Sequence, residues 1–208
     1  MGTQTVKRNE TTRRIKGAAT EVFAEAGFAG ARVDEIARRA RVNKAMIYYH
    51  IGDKKALYAE ALHDVFRDMS EGMARNIQES QTAEEKLKRF IHNLAETMDQ
   101  HSYLPAIILR ELASGGQNIP AVVIQDFTNI LNTLTKILEE GVDQGLFIQT
   151  TPFVVHMMVV GAVNFFKASG PIRSRHPAFP DTVKKLGTKV SGEIAAEIEK
   201  LILKAVRK

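Results

Sequence analysis

Two short helical patterns joined by a three-residue link constrain this chain more than any other feature of its sequence. Apolar residues at steps of three and four predict one helix over Val33–Ala40 and another over Lys44–His50. The link ends in Asn43, whose side chain suits the position before a helix. An earlier helical pattern ends at Gly27, since glycine accepts the left-handed backbone that closes a helix. Three helices in this order predict a helix-turn-helix unit.

Positive charge is concentrated at the same end of the chain. Residues 1–58 contain 12 Lys and Arg against 6 Asp and Glu, whereas the remaining residues contain 17 against 18. A polyanion is therefore the expected partner, and nucleic acid or an acidic membrane face would both satisfy this charge. The helix spacing favours DNA, because a short helix that stands clear of its supports fits a major groove about 12 Å wide.

The second of these short helices decides which side chains would face DNA. Ile47 and Ile51 are four residues apart and turn inward, so the opposite side is left for base edges. Cations and hydroxyl donors beside that side suit the phosphates. The residues left outward, towards base edges, are Lys44, Ala45, Met46 and Tyr49, and the cations and hydroxyl donors spaced to suit the groove and its phosphates are Lys44, Tyr48, Tyr49, His50 and Lys54.

Helical periodicity continues through the rest of the chain. Asp53 is a suitable cap for a long fourth helix that begins at Lys54 and runs for roughly 25 residues. Glycine and proline in SGGQNIP and SGPIRSRHPAFPD predict two interruptions. Further helices are predicted over residues 83–100, 104–114, 122–144, 153–168 and 183–205. The predicted fold class is all-α with about nine helices and no strand.

Several kinds of protein are excluded by what the sequence lacks. Without cysteine there is no disulfide, zinc-thiolate site or cysteine nucleophile. The amino-terminal MGTQTVKRNETTRR has no apolar run behind it, and no window approaches 18 apolar residues, so we expect a cytoplasmic protein without a membrane span. Nucleotide-binding loops, nucleophile motifs and carboxylate clusters are missing, so neither enzyme activity nor a cofactor is predicted.

Two groups of polar residues in the later part of the chain are interpreted as structural. Arg110 and Glu111, which are flanked by leucines, are interpreted as a pair on a helix surface, and the alternative is that they are buried polar groups. Four histidines would hold a charged or metal-chelating ligand if they met in space, but they lack the spacing of a metal signature, and no metal site is predicted. These histidines are His63, His92, His101 and His156.

The stretch ARVDEIARRARVNKAMIYYHIGDKKALYAEAL resembles the amino-terminal domain of TetR-family transcriptional regulators, and the similarity covers residues 11–62. It is specific because many spaced positions agree at once. The resemblance implies an all-helical dimer whose first domain, residues 1–58, binds operator DNA. It also implies that residues 59–208 form a domain for dimerisation and for a small molecule that alters operator affinity.

The resemblance implies phosphate contacts for Tyr48, His50 and Lys54, and base contacts for the outward residues of the second short helix. It also exposes two departures. Arg32 stands where Thr or Ser usually caps the helix, and Arg cannot accept that hydrogen bond. Arg41 stands where glycine is usual, so we expect left-handed backbone there at a cost of about 1 kcal/mol. The complete predicted DNA-binding set is Arg32, Arg41, Asn43, Lys44, Ala45, Met46, Tyr48, Tyr49, His50 and Lys54.

Large flexible and aromatic side chains crowd the carboxy-terminal domain. Met and Phe suit a cavity for apolar ligands, and they suit an ordinary core as well. The resemblance implies a cavity between the fourth and eighth helices. The effector-site candidates are Phe66, Met69, Phe90, Leu94, Met98, Tyr103, Ile107, Phe127, Leu131 and Met157.

The last two predicted helices are expected to form a homodimer. The stretch 153–168 is apolar nearly all round and therefore needs cover on several sides. The final helix offers small residues for close approach, namely Ser191, Gly192, Ala195 and Ala196. Two copies would make a four-helix interface, and its two-fold symmetry predicts a palindromic operator.

Together these features predict a ligand-responsive transcriptional regulator, most consistent with a repressor, that binds double-stranded operator DNA and is released by a small apolar effector. The effector would act by shifting the population of positions of the fourth helix, whose start adjoins the recognition helix. The alternative is a DNA-bound scaffold, for instance in chromosome organisation, that acts through a protein partner without a small-molecule ligand. A carboxy-terminal domain without a cavity would favour the alternative.

Overall fold

The computed structural model describes the backbone of residues 2–78 and 80–208 and the side chains of residues 9–75, 77 and 80–208. In this part of the chain the only β feature is a single bridge between Phe147 and Arg207. The predicted all-α fold is therefore confirmed. The ten helices are α1 Gly2–Gly30, α2 Val33–Ala40, α3 Lys44–His50, α4 Lys54–Gln78, α5 Ala83–Gln100, α6 Leu104–Ala113, α7 Ala121–Asp143, α8 Pro152–Arg175, α9 Asp181–Lys184 and α10 Glu193–Val206.

The chain divides into two compact units. The first unit comprises Met1–Phe66 and Ala106–Asp126, and the second comprises Arg67–Pro105 and Phe127–Lys208. Helices α4, α6 and α7 each contribute residues to both. The predicted division between residues 58 and 59 concerns where DNA binding ends and effector binding begins, and it stays a prediction.

The core of the first unit is built by inward residues of its short helices. Ile15 of α1, Ile36 of α2 and Ile47 of α3 are all fully buried. Phe23 and Tyr58 pack edge to face, with ring centroids 4.6 Å apart. Each short helix therefore has one buried side and leaves the other side to solvent.

Local capping fixes the ends of these helices. The Asn43 side chain accepts a hydrogen bond from the Ala45 amide at 3.0 Å, and the Asp53 carboxylate accepts one from the Ala56 amide at 2.8 Å. The helical backbone of α1 is interrupted at Gly27, where φ is 69° and ψ is 174°. The predicted bounds of α2 and α3 are confirmed. The first helix was predicted to end at Gly27; its helical backbone is interrupted there, and α1 then resumes and ends at Gly30.

In the second unit α5, α8 and α10 pack on one another. Near the end of α5, Asp99 accepts hydrogen bonds from the amides of Val190 and Ser191 and from Lys167 Nζ. Burial alone would raise the pKa of Asp99, but these bonds outweigh it and lower the pKa to about 2. The ionised carboxylate ties α5 to α8 and to the turn before α10. The buried face of α5 consists of Ala83, Leu87, Phe90, Ile91, Leu94, Ala95 and Met98.

Helix α8 is longer than the sequence predicted. It continues through Gly170 and Pro171, where an interruption was expected. A Cβ atom at Gly170 would lie 2.8 Å from Thr188 Cγ2, so this glycine permits close packing and does not end the helix. The Arg173 guanidinium donates to the carbonyl of Phe166 at 2.9 Å and thereby stabilises the turn that contains the proline.

The predicted final helix over residues 183–205 is divided into α9 and α10, so the prediction of one helix is wrong. Gly187 and Gly192 have φ values of 65° and 97°, which interrupt helical backbone. Val190 lies between them and is fully buried, so the apolar spacing continues although the helix does not. This division accounts for ten helices where about nine were predicted.

Helix α8 also corrects the expectation that no segment is apolar and long enough to span a membrane. By length and composition alone it meets that criterion, with a mean hydropathy of 1.4 over 18 residues. Its His156 and Asn164 are buried against protein, and Lys167 is paired with Asp99 at 2.7 Å. These polar side chains of α8 thus face the rest of the protein. This arrangement is typical of a helix that packs against protein.

Candidate functional site

Helix α3 presents one side to solvent and buries the other. Ile47 is fully buried and Ile51, just past the helix, is half-buried, whereas Tyr49 is 73% exposed. The predicted base-facing residues thus lie together on the outward side of one short helix. The exposed side chains of α3 are Lys44, Ala45, Met46, Tyr48 and Tyr49.

The two other predicted phosphate ligands, His50 and Lys54, are half-buried. The His50 ring lies edge-on to Tyr49, with centroids 5.2 Å apart. Lys54 Nζ donates to the carbonyl of Ala29 at 3.2 Å and lies 4.8 Å from the centroid of the Phe28 ring. An ammonium group has three donors, so Lys54 can fasten α4 to the end of α1 and still donate to a phosphate.

Arg14 on α1 holds the link between α2 and α3, a role that the sequence pattern does not indicate. Arg41 has a φ of 55°, and it is the only residue other than glycine with positive φ in the described chain. Its predicted left-handed backbone is therefore confirmed. Arg14 Nη2 donates to the carbonyls of Ala40 at 2.8 Å and Arg41 at 3.0 Å, which stabilises this strained link. Arg32 precedes α2 without a side-chain cap, as predicted.

Lys44 has an acidic neighbour that the sequence pattern does not indicate. Lys44 Nζ lies 2.9 Å from Asp34 Oδ1 on α2. This hydrogen bond raises the pKa of Lys44 and lowers the pKa of Asp34. Both side chains are exposed, so water and salt screen their attraction, and a DNA phosphate or base edge can compete with it.

Other cations of the basic segment are paired within the first unit. Glu35 accepts hydrogen bonds from Arg38 and Arg39, and these lower the pKa of Glu35 to about 2. Arg39 also binds Glu25 at 2.6 Å. The surface therefore offers fewer unpaired cations to DNA than the composition of residues 1–58 indicates.

Residues 106–126 attach to the rest of the first unit through polar contacts. Glu111 is buried and accepts a hydrogen bond from the Tyr58 hydroxyl at 2.9 Å. Burial and this bond together raise the pKa of Tyr58. Arg110 is exposed and donates to the carbonyl of Glu25 at 2.9 Å. The predicted surface pair between Arg110 and Glu111 is wrong, because successive residues point to different sides of a helix.

The effector-site candidates are mostly packed side chains. In the second unit Phe90 and Met98 are buried, and Phe127 is half-buried. Met157 is 46% exposed, on the side of α8 opposite to buried residues, so the structure separates it from the others. Of the remaining candidates, Met69 and Leu94 are buried and Tyr103 and Leu131 are half-buried in the second unit, while Phe66 and Ile107 are buried in the first.

The four histidines considered as metal ligands each have separate surroundings. His63 Nδ1 lies 2.6 Å from Asp126, His92 Nε2 lies 2.9 Å from Glu199, and His101 Nδ1 lies 2.9 Å from the Tyr103 hydroxyl. Over the described residues, no three potential metal ligands come together.

His156 differs from these three histidines. Its ring is 1% exposed, and neither ring nitrogen has a hydrogen-bond partner among the described residues. The ring lies edge-on to Phe127, with centroids 4.9 Å apart, and its centroid is 6.5 Å from that of Phe90. Burial lowers the pKa of His156, so the ring is neutral at physiological pH.

Comparison with known families agrees with the geometry of the first unit. The family of bacterial regulatory proteins named after tetR matches residues 15–61, which include α2, α3 and the start of α4. The tetracyclin repressor-like carboxy-terminal domain matches residues 80–171. This chain belongs to the TetR family. TetR-family proteins are transcriptional regulators and not enzymes; they act in the cytoplasm on operator DNA and respond to small molecules, typically as dimers.

Individual relatives of this TetR-family protein are named as transcriptional or metabolic regulators. The transcriptional repressor NicS of Pseudomonas putida is 26% identical over 152 residues, 70% of each chain. The fatty acid metabolism regulator protein of Bacillus subtilis is 28% identical over 132 residues, which is 64% of this chain and 68% of that protein. The chain is thus a ligand-responsive transcriptional repressor, and the alternative of a DNA-bound scaffold is not supported.

A solved structure shows the same fold. FadR from Bacillus subtilis, in complex with stearoyl-CoA, superposes with a TM-score of 0.71 over 92% of this chain and 97% of that chain. The two sequences are 22% identical, so this likeness concerns the fold alone.

The TetR-family protein carries an apolar stripe on α8. Its members recur at steps of three and four, and Phe165 and Ile172 are 72% and 60% exposed. A groove of about 250 Å³ adjoins the stripe, between the start of α8 and Ile202 and Val206 of α10. The α8 stripe consists of Phe153, Val154, Met157, Met158, Gly161, Ala162, Phe165, Ala168 and Ile172.

Proposed function

We propose that this TetR-family protein binds a palindromic operator as a homodimer through α3 and leaves it when an apolar effector of the acyl class binds the second unit. The observation that carries the DNA-binding part is the orientation of α3. Its buried Ile47 holds the helix while Tyr48 and Tyr49 remain exposed. A short helix braced in this way can enter a major groove.

The α8 stripe supports the homodimer. Apolar side chains in a periodic row are covered efficiently by the same row of a second copy, because a two-fold axis makes the surface complementary to itself. Small residues in the middle of the stripe, Gly161 and Ala162, allow close approach of two helices. In α10 only Leu201 adds a large exposed apolar side chain, so α8 supplies most of the proposed interface.

Two observations support an acyl effector. Buried candidates in the second unit, such as Phe90, Leu94 and Met98, are aliphatic, aromatic or thioether groups, which accept a flexible hydrocarbon chain. A relative is named as a regulator of fatty acid metabolism, and FadR from Bacillus subtilis was crystallised with stearoyl-CoA. Binding would act through α4, which contributes residues to both units.

The effector is expected to weaken operator binding, and the operator must weaken effector binding by the same factor. Titration calorimetry with stearoyl-CoA, with and without a DNA site selected by the protein from a random pool, tests this. We expect a decrease of about tenfold or more in each direction. Coenzyme A alone serves as the control. Equal stearoyl-CoA affinity with and without DNA would contradict release by the effector.

Operator affinity is expected to fall steeply with salt. If the dimer neutralises roughly eight phosphates, the plot of log K against log salt has a slope near −7. Fluorescence anisotropy between 50 and about 200 mM salt measures it. A nearly flat plot would contradict phosphate contacts from the basic segment.

The Lys44–Asp34 pair gives a prediction about specificity. Lys44→Ala is expected to weaken cognate DNA by about tenfold more than scrambled DNA, since it removes a base contact. Lys54→Ala is expected to weaken both equally, because a phosphate contact carries no sequence information. Asp34→Asn should strengthen cognate binding, since it frees Lys44. Equal losses on both DNAs for Lys44→Ala would exclude the base contact.

A further inference from the structure

His156 is a buried polar group without a hydrogen-bond partner in the described protein. Buried polar side chains in proteins are nearly always hydrogen-bonded, because burial without a partner costs free energy. A ring of this kind calls for a partner from outside the chain. The other histidines compared above are bonded within their own surroundings, so His156 is the exception among them.

The ring lies beside two residues that the sequence predicted to line the effector site. His156 projects from α8 between Phe127 of α7 and Phe90 of α5, and both of these phenylalanines were predicted to line the effector site from the sequence alone. All three residues belong to the second unit. A small number of hydrogen-bonding groups among hydrophobic and aromatic side chains is the usual composition of a ligand site, where they fix the ligand's orientation.

We infer that His156 is the polar anchor of the effector and bonds an uncharged carbonyl or hydroxyl group on an otherwise apolar molecule. This inference rests on the proposed function, because it presupposes an effector in the second unit. It goes further by naming the residue that selects the effector and the polar group that it selects.

The chemistry of the ring explains why the group is uncharged. Burial keeps His156 neutral, and a neutral imidazole offers one N–H donor and one nitrogen acceptor. A ligand carbonyl accepts a hydrogen bond from the ring N–H. A ligand hydroxyl either accepts from that N–H or donates to the other ring nitrogen. A carboxylate would bring a negative charge beside a buried neutral ring and two phenylalanines, and Lys167 on the same helix is already bound to Asp99. Acyl thioesters and long-chain alcohols therefore fit, and free fatty acids fit poorly.

Two matched probes isolate this contact. Stearoyl-CoA contains the thioester carbonyl, and the thioether analogue S-octadecyl-CoA lacks only that oxygen. Wild-type protein is expected to bind stearoyl-CoA about tenfold more tightly in calorimetry, the value of one buried hydrogen bond. His156→Phe should reduce this ratio to about one, and His156→Gln, which retains a donor and an acceptor, should restore part of it. His176 is exposed, so His176→Phe makes the same substitution away from the proposed site and serves as the control. It should leave the ratio of the two affinities unchanged.

The stability of the free protein separates an anchor from an ordinary core histidine. His156→Phe should leave the melting temperature unchanged or raise it, because no hydrogen bond of the protein is lost. A fall of more than about 4 °C would mean that the ring stabilises the fold, and the inference would be overturned.

The remaining outcomes are also decisive. If His156→Phe still binds stearoyl-CoA tenfold more tightly than S-octadecyl-CoA, His156 is not the anchor. The same holds if wild-type protein binds the two probes equally. In both cases the proposed acyl effector stands. If wild-type protein binds neither probe, the acyl effector of the proposed function fails. In that case the role of His156 is tested by NMR titration with 1-octanol. Binding of the hydroxyl group should shift the ¹⁵N resonances of the His156 ring, and unshifted resonances would overturn the inference as well.

Discussion

Replacing Phe165 with Glu is expected to separate the homodimer into monomers and to weaken operator binding by about 100-fold or more. Phe165 is 72% exposed near the middle of the α8 stripe, so the substitution leaves the fold of the single chain intact. In a two-fold interface each copy would place an unpaired carboxylate against apolar side chains, which is strongly unfavourable. A monomer presents only one α3 to the DNA and loses the gain from binding two half-sites together.

Sedimentation velocity at micromolar concentration measures the change in mass, and anisotropy on the selected operator measures the change in affinity. Thr182→Glu, an exposed position on α9 outside the stripe, adds the same charge and should leave both measurements unchanged. If Phe165→Glu remains a dimer with wild-type operator affinity, the α8 stripe is not the dimer interface.

The part of the fold that the sequence predicted best depends on contacts between near neighbours. The ends of α2 and α3 are set by the side chain of Asn43, by the backbone of Arg41 and by the spacing around Ile47, all within a few residues. Local signals of this kind are present in the sequence itself. The bounds of these two helices could therefore be predicted to the residue.

The carboxy-terminal region was predicted less well because its turns depend on distant residues. Proline and glycine at 170–171 look like an interruption, yet Gly170 accommodates Thr188, which lies 18 positions further along the chain. Gly187 and Gly192 do interrupt the helix, although the apolar spacing across Val190 suggests continuity. The residue type alone does not distinguish a glycine that permits packing from one that ends a helix.

The same limit applies to the functional surfaces. Which cations remain free depends on pairs such as Lys44–Asp34 and Arg39–Glu25, which form only when α1, α2 and α3 are assembled. His156 and Met157 are adjacent in an apolar stretch, and its near-uniform hydrophobicity conceals that one is buried and the other exposed. The outward face of α3 could be predicted because its apolar and polar residues alternate clearly.

Gly141→Ala is expected to destabilise the second unit by about 3 kcal/mol, a large part of the 5–15 kcal/mol typical of a folded domain. A Cβ atom at Gly141 would lie 1.9 Å from Cδ2 and 2.4 Å from Cε2 of Phe147. The Phe147 ring is 2% exposed, and the Phe147 amide donates to the Gly141 carbonyl at 3.0 Å. The backbone hydrogen bond and the burial of the ring both hold Phe147 against Gly141. The methyl group of an alanine at position 141 would therefore force the ring out of the core.

Urea unfolding measures the loss, and Gly72→Ala provides the matched control. Gly72 is a helical glycine of the second unit with no atom within 4 Å of an added Cβ, so alanine there should be neutral or stabilising by up to about 1 kcal/mol. The Phe147→Ala background identifies the cause, because Gly141→Ala should cost little once the ring is gone. If Gly141→Ala is equally destabilising with and without the ring, the collision with Phe147 is not the reason, and the packing of α7 against this turn must differ from the one described.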